Sequence, residues 1–327
     1  MHYDRAQKYP TRRAAMEKLA ELMDEYKNII VLDADTAEST YTSIIRNKYK
    51  NENPKRFYDF GVAEQNMIAA AVGLASEGMI PVVNAFAVFL SNRCADQIRQ
   101  GLIGDYHIIF RSSHRGFVGK DGPSHHAIND ITIMSSIPGM YAVIEPCDAI
   151  ETKRAMEWAV ERNKKAVYIG THRDAMPLFM PDDYEFELCK GYEIDQKYNT
   201  DEADIAIFAS GPYMIKNCLE AKKALEPETK ARLINMATIK PMKEEEIMKY
   251  IGSKTKVVTA ECASVRGGLG NAVGMVLGEY GIPHRAIGIA DDYYGFSDDV
   301  GVLLKDAGLD SESIAKKTID FYRKITK

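Results

Sequence analysis

FYDFGVAEQNMIAAAVGLASEG, residues 57–78, is the stretch from which the fold of this chain can be read. A run of small and apolar residues begins directly after one carboxylate, Glu64. From Glu64 to Ser76 the apolar side chains fall on almost every side of a 3.6-residue turn, so the stretch reads as a helix buried all round. Glu64 then occupies the first turn of that helix, where a charged group is costly without a partner. Burial raises a carboxylate's pKa, while a helix N-terminus pulls it down. A carboxylate that shares a proton is a natural product of such a position. The plain alternative is a helix-start acid that only favours the helix dipole.

Outward from this helix, short β-like runs alternate with longer helical patterns. NIIVLDAD (28–35), IPVVNAF (80–86), YHIIFRSS (106–113), MYAVIEP (140–146) and KAVYIG (165–170) read as strands, with helical stretches at 88–103 and 149–163. Such alternation predicts a parallel sheet covered on both faces. Residues 177–200 break the pattern with a polar, Asp-, Glu- and Tyr-rich segment holding two prolines. A second strand–helix series follows: strands DIAIFASG, ARLINMATI, KVVTAEC and HRAIGIA, with helices at 212–225, 242–251 and 270–280. The fold class is therefore α/β with two doubly wound domains, 1–190 and 191–327. In open sheets of this kind chemistry gathers at the strands' C-terminal ends. The polar residues there are Asp33 and Asp35, Ser112 to His114, and Thr171 to Asp174.

The 327 residues, 46% of them apolar, suffice for two cores. A net charge of −5 with acids and bases interspersed argues against nucleic acid as the main partner. No uninterrupted apolar run approaches a membrane span. MHYDRAQKYPTRRAAMEKLAEL (1–22) lacks a signal core and reads as an amphipathic helix after Pro10, with Thr11 as its cap. Cys94, Cys147, Cys189, Cys218 and Cys262 are dispersed without CxxC spacing, which predicts reduced thiols in a cytoplasmic protein and no metal cluster.

GKDGPSHH (119–126) forces a turn at Asp-Gly-Pro and sends two histidines out of it. Adjacent residues of extended chain point opposite ways, so at most one of the two faces a site; the plain alternative is a pair of solvated loop histidines. RGGLGNAVG (266–274) lies between a strand and a helix, but its glycine spacing departs from GxGxxG and predicts only a tight turn. IGDYHIIF (103–110) has Tyr106 where a GDG metal-binding signal needs glycine, and runs into a strand. Phe86 and Phe89, three apart, read as core aromatics unless a flat ligand claims them.

FGVAEQNM, the FAVF segment, GKDGPSHH, SSIPGM and INMATIKPM, followed by TAEC, GGLG and IGIADDYYGFS, together resemble the transketolase family. The likeness is to the C-terminal half, as found in the second subunit of split, two-chain transketolases, and runs from about residue 12 to the end. It implies a pyrimidine-binding domain of a thiamine diphosphate enzyme followed by a transketolase C-terminal domain. It implies that Glu64 hydrogen-bonds the cofactor's aminopyrimidine, that Phe86 stacks on that ring, that Phe89 lines the pocket and that Asp35 lies beside it. Asp121 and His125 match substrate contacts, and Ser39 matches a sugar-phosphate contact. The chain departs from the family at three places: Ser113, followed by His114 and Arg115, in place of a histidine; THRD (171–174), offering His172 or Arg173, in place of an arginine; and His126 in place of glutamine. All three lie where the acceptor's terminal anion binds. Among Ser39, His114, Arg115, His172 and Arg173, the guanidinium of Arg173 is the preferred anchor; the plain alternative is a solvated rim.

The implied activity is transfer of a two-carbon ketol unit from a ketose to an aldose. The chain lacks a GDG…N segment for Mg²⁺ and diphosphate, so those belong to an N-terminal partner subunit, in an assembly of two copies of each chain. Sugars are the substrates; no nucleic acid and no membrane are involved. The rival readings are the β subunit of a 2-oxo acid dehydrogenase, a deoxyxylulose phosphate synthase, and a regulatory subunit that kept the fold.

Overall fold

The computed structural model describes residues 3–226 and 228–326. Two compact units divide it: residues up to Arg115 with Ile133–Glu187, and Gly116–Thr132 with the residues from Leu188 on. The DGPSHH loop therefore clusters with the second unit, although in sequence it lies inside the first domain.

The first unit opens with β1 (Tyr9–Pro10) and α1 (Thr11–Glu25). It continues through β2 (Ile29–Asp33), α2 (Ala37–Thr40), α3 (Ser43–Lys48), β3 (Phe57–Asp59), α4 (Glu64–Ser76), β4 (Ile80–Phe86), α5 (Ala87–Gly101) and β5 (Ile109–Ser113). The chain returns to it through α6 (Asp130–Ser136), then forms β6 (Met140–Ile144), α7 (Ala149–Glu161), β7 (Ala166–Gly170) and β8 (Ala175–Met176). Within this unit the strand order is β6-β7-β5-β4-β2-β3, all parallel. IIVLD of β2 and AVYIG of β7 are buried at every position, as continuous apolar strands of a doubly covered sheet must be. Asp148 caps α7, its carboxylate accepting the Glu151 N–H at 2.8 Å. Burial pushes the Asp148 carboxyl above its ordinary value, against the pull of four backbone N–H groups.

Two local expectations are corrected. Helix α4 has the expected span, but it is not buried all round. Glu64, Met67, Ile68 and Ala71 are buried, while Gln65, Asn66, Ala69 and Gly73 are exposed. An apolar run shows that a surface is to be covered; it does not say by which chain. Thr11 does not cap α1, since Pro10 is the N-cap residue and no side chain caps it. The Thr11 hydroxyl instead accepts the His172 N–H at 2.8 Å, tying the start of α1 to the segment after β7.

The second unit contains β9 (Tyr192–Ile194), β10 (Ile205–Ala209), α8 (Gly211–Leu225), β11 (Ala231–Asn235), β12 (Thr238–Lys240), α9 (Glu244–Met248), β13 (Lys256–Ser264), α10 (Leu269–Glu279), β14 (His284–Ile289), α11 (Val300–Asp306) and α12 (Ser311–Ile325). Its sheet runs β14-β13-β10-β11-β9, parallel except for β9. The glycine-rich turn 266–274 leads into α10. The Glu261 carboxylate fills the helix start, accepting the N–H groups of Leu269 at 2.7 Å and Gly270 at 2.8 Å. A carboxylate thus takes the donors that a dinucleotide-binding turn offers to phosphate.

Candidate functional site

Parallel strands end on one edge, so their registers decide which end residues become neighbours. In the first unit Asp33 pairs with Asn84, Phe86 with Ser113, and Ser112 with Gly170. The loops after these strands therefore emerge together. Helix α4 adds Glu64 as its first residue, 6% exposed. The carboxylate accepts a hydrogen bond from Arg93 Nη1 of α5 at 2.7 Å. Arg93 also lies over the Phe89 ring, 4.0 Å from its centroid. Phe89 stacks against Phe86 at 5.8 Å, and Phe86 stacks on the His114 ring at 3.9 Å. Glu64, Phe86, Phe89 and His114 thus form one continuous cluster, with both phenylalanines half-buried.

The cluster continues through Arg12, at the start of α1. Its guanidinium donates to the Ser39 carbonyl and, at 3.1 Å, to the Arg173 carbonyl; it lies 3.3 Å from His114 Nε2 and 5.0 Å from the Tyr41 ring centroid. His114 is held in a left-handed conformation (φ 59°), and its Nδ1 is 2.8 Å from the Ser113 hydroxyl. Asp35, also left-handed (φ 58°), donates its N–H to the Asp59 carboxylate at 3.0 Å. Asp35 and Ser39 are exposed and Arg173 is half-buried, so these three line the open side.

Beneath them Asp33 is fully buried. It accepts the Thr36 N–H at 2.7 Å, the Thr42 hydroxyl at 2.7 Å and the Thr40 hydroxyl at 3.2 Å. Burial raises the Asp33 carboxyl, and these hydrogen bonds oppose the shift. Arg111 of β5, also buried, donates to the carbonyls of Arg12 and Thr40. Burial lowers its guanidinium to about 9, with the Asp33 charge opposing, so it remains ionised at neutral pH. This buried network fixes the loop that carries Asp35 and Ser39.

Of the residues expected on the polar edge, Arg115 and His172 are interior in the structure, as is the ring of His114 at 3% exposed. Arg115 is 1% exposed and His172 0%, and both engage Glu145: Arg115 through Nη1, His172 through Nε2 at 2.9 Å. A buried carboxylate needs hydrogen-bonding partners, a guanidinium above all, because an unpaired charge is expensive there. Neither side chain lies on an exposed rim.

Asp121 and His125 belong to the second unit, on a short 3-10 turn and the loop after it. The two histidines of that loop differ in burial, but not through extended-chain alternation: they sit in a tight turn, where both backbone N–H groups donate to the Gly122 carbonyl, at 3.0 Å from His125 and 3.2 Å from His126. His126 is buried; its Nδ1 accepts the Val118 N–H at 3.2 Å, so Nε2 carries the proton and faces the Gly295 carbonyl at 2.8 Å. Burial lowers its pKa, and it is neutral at pH 7. His125 is half-buried, with Nδ1 2.9 Å from the Ser124 hydroxyl.

Sequence reading missed Arg12, Arg93 and Glu145. Arg93 had a usable signal, since it stands four residues after Phe89, the spacing that places a cation over a ring on one helix face. Among the described residues no group of three or more His, Cys, Asp or Glu could hold a metal ion, and no helix is long and apolar enough to cross a membrane.

Comparison with known proteins supplies independent findings. A family profile described as the transketolase pyrimidine-binding domain matches residues 7–177, and one described as the transketolase C-terminal domain matches residues 196–314. A Methanocaldococcus jannaschii chain provisionally named a transketolase C-terminal section is 38% identical over 320 residues, covering 96% of each chain. One of the subunits of the apulose-4-phosphate transketolase of Phocaeicola vulgatus is 30% identical, covering 96% of this chain and 97% of that one. Among solved structures, a split-gene transketolase described as an inactive beta4 tetramer superposes with a TM-score of 0.81 at 34% identity, covering 97% of this chain and 98% of that one.

Proposed function

Because this chain belongs to the transketolase family, we propose that it is the pyrimidine-binding and C-terminal subunit of a two-chain transketolase. Its reaction is transfer of a two-carbon ketol unit from a ketose, a phosphate or another anionic sugar, to an aldose. The observation that carries this reading is Glu64: a nearly buried carboxylate at the first turn of α4, joined through Arg93 to two stacked, half-buried phenylalanine faces.

That donor set suits an aminopyrimidine. A flat, nitrogen-rich ring wants an aromatic face and one carboxylate at its edge. When bound, thiamine diphosphate would supply a thiazolium carbon acidic enough to lose its proton and serve as the nucleophile toward a ketose carbonyl. Glu64 holds or yields a proton at its carboxylate oxygens toward the pyrimidine, while Phe86 and Phe89 exclude water from the ring. Mg²⁺ and the diphosphate are assigned to an N-terminal partner subunit, with two copies of each chain in the assembly. The partly exposed face of α4 favours a second chain, because its apolar run extends beyond what this chain covers.

Asp121 and His125 are assigned to the sugar's hydroxyl and carbonyl groups. His125 suits proton transfer because an imidazole's ordinary pKa lies near neutrality. Ser39, His114 and Arg173 are assigned to the acceptor's anion. Arg12 joins them because it touches the backbone of Ser39 and Arg173 and borders His114. Arg115 and His172 are left out of this assignment, because both are buried and engage Glu145.

The test is ketol transfer by the chain alone and by the chain combined with an N-terminal transketolase subunit, each with thiamine diphosphate and Mg²⁺. The chain alone should be inactive and the pair active. Glu64→Gln keeps the shape but loses the proton site, so kcat of the pair should fall by roughly two orders of magnitude or more with an unchanged circular dichroism spectrum. A Glu64→Gln pair as active as its parent would exclude this role.

A further inference from the structure

Arg93 stands in a position that the proposed reaction does not explain. It covers both features a pyrimidine ring would need. Its Nη1 lies 2.7 Å from Glu64 Oε1, and its guanidinium lies 4.0 Å from the centroid of the Phe89 ring. The guanidinium takes one acceptor direction of Oε1 and covers one face of the Phe89 ring, so a ring edge that approaches Oε1 along that direction, or a ring that lies on that face, has to displace it. Resting on the reading of Glu64 as the pyrimidine's partner, we propose that Arg93 is a displaceable stand-in for the pyrimidine. It engages Glu64 and Phe89 until the ring enters, and then swings away.

The local build suits such an exchange. The Arg93 backbone is pinned, because Gln65 Nε2 of α4 donates to its carbonyl at 2.9 Å. Its side chain is 47% exposed, whereas that of Glu64 is 8% exposed. The guanidinium can therefore swing into water while its Cα stays in place, and a half-exposed ion pair is weak enough to exchange. A second group registers both charges: the Cys94 thiol beside Arg93 is pushed up to about 12, by burial first and then by the Glu64 charge, with Arg93 opposing. The stand-in keeps an otherwise bare buried carboxylate partnered. Its consequence is that ring binding must displace an existing contact, so intrinsic affinity is lowered.

The experiment measures binding of 4-amino-5-hydroxymethyl-2-methylpyrimidine to the full chain by ligand-observed NMR, in the parent, Arg93→Ala, Glu64→Gln and the double variant. Arg93→Gln serves as a control that removes the charge but keeps an unbranched polar side chain. Arg93→Ala and Arg93→Gln should bind the probe at least about threefold more tightly than the parent, and the gain should vanish when Glu64 is also Gln. Equal or weaker binding by both Arg93 variants overturns the proposal, as does failure of all five chains to bind at millimolar probe. A gain on removing Arg93 that persists in the double variant means that Glu64 does not hold the ring. That outcome defeats the underlying reading and is distinguishable from failure of the stand-in.

Discussion

At the scale of single residues, burial decides what a charge can do. Arg115 and Arg173 are both arginines near the same sheet edge, and sequence alone ranks them only by chemistry. The fold separates them: Arg115 is interior and holds Glu145, while Arg173 is half-buried. Glu145, 1% exposed, faces two partners, and its loss would leave Arg115 with no countercharge at that contact. Glu145→Gln should therefore destabilise the chain by about 3 kcal/mol or more, the usual result of breaking a buried pair by removing one member. Arg173→Ala should change stability by less than about 0.5 kcal/mol. Urea unfolding midpoints of the two variants test this. A loss below about 1 kcal/mol for Glu145→Gln would mean that water or another acceptor compensates the buried Arg115 guanidinium.

At the scale of elements, the start of α10 shows how one glycine serves a carboxylate. A Cβ built on Gly268 would lie 1.8 Å from Glu261 Oε2, so any side chain there expels the carboxylate that caps the helix. Gly268→Ala should cost about 2–4 kcal/mol, since hydrogen bonds to a charged group contribute about 1.5–3 kcal/mol each and part of the loss is recovered by relaxation. Gly278, at the other end of α10, is the internal control. Nothing lies within 4 Å of a Cβ added there, so Gly278→Ala should be neutral or stabilising by about 0.5–1 kcal/mol. Thermal or chemical midpoints distinguish the two. Equal effects at both positions would show that Glu261 does not depend on the space Gly268 leaves. The turn's glycines were legible in the sequence. That Glu261 fills the helix start was not, because the carboxylate comes from the preceding strand and arrives only when β13 and α10 pack.

At the scale of the whole molecule, stability should fall on mild acidification, and His284 is a main contributor. Burial lowers its pKa from 6.5 to about 4, and its Nε2 is 3.0 Å from the Thr259 hydroxyl. A histidine with a depressed folded pKa contributes stability that is present above the unfolded value. That contribution is lost as pH falls from about 6.5 through about 4, and amounts to about 3 kcal/mol at most. Asp33 and Asp148 act in the opposite sense: their raised carboxyls favour the folded state at low pH and oppose it as pH rises through their folded values. His284→Gln can still bond Thr259 but does not titrate. Between pH 7 and 4.5 its unfolding free energy should therefore drop by about 2 kcal/mol less than that of the parent. Parallel pH profiles for the two chains would exclude His284 as the sensor.

The sequence by itself determined the order of the longer strands and of the main helices between them, the α/β class and the family, but not β3, β9, β12, α2, α3, α11 or α12. What it determined follows from local periodicity and from motifs whose residues stand close together: the helix that begins at Glu64, the phenylalanines at 86 and 89, the DGP turn. It also identified Glu64 as a candidate from nothing more than one acid before an apolar run. Only the tertiary structure decided that Arg115 and His172 are interior, because both meet Glu145, thirty and 27 residues away along the chain. Only the structure brought Arg12 to Ser39 and Arg173, a convergence across 161 positions of chain, and only the structure seated Arg93 on Glu64. The physical reason is common to all three. Periodicity records whether a side chain faces inward, but a charge's role depends on its partner, and in a parallel sheet partners are set by strand order and register, which no local pattern encodes.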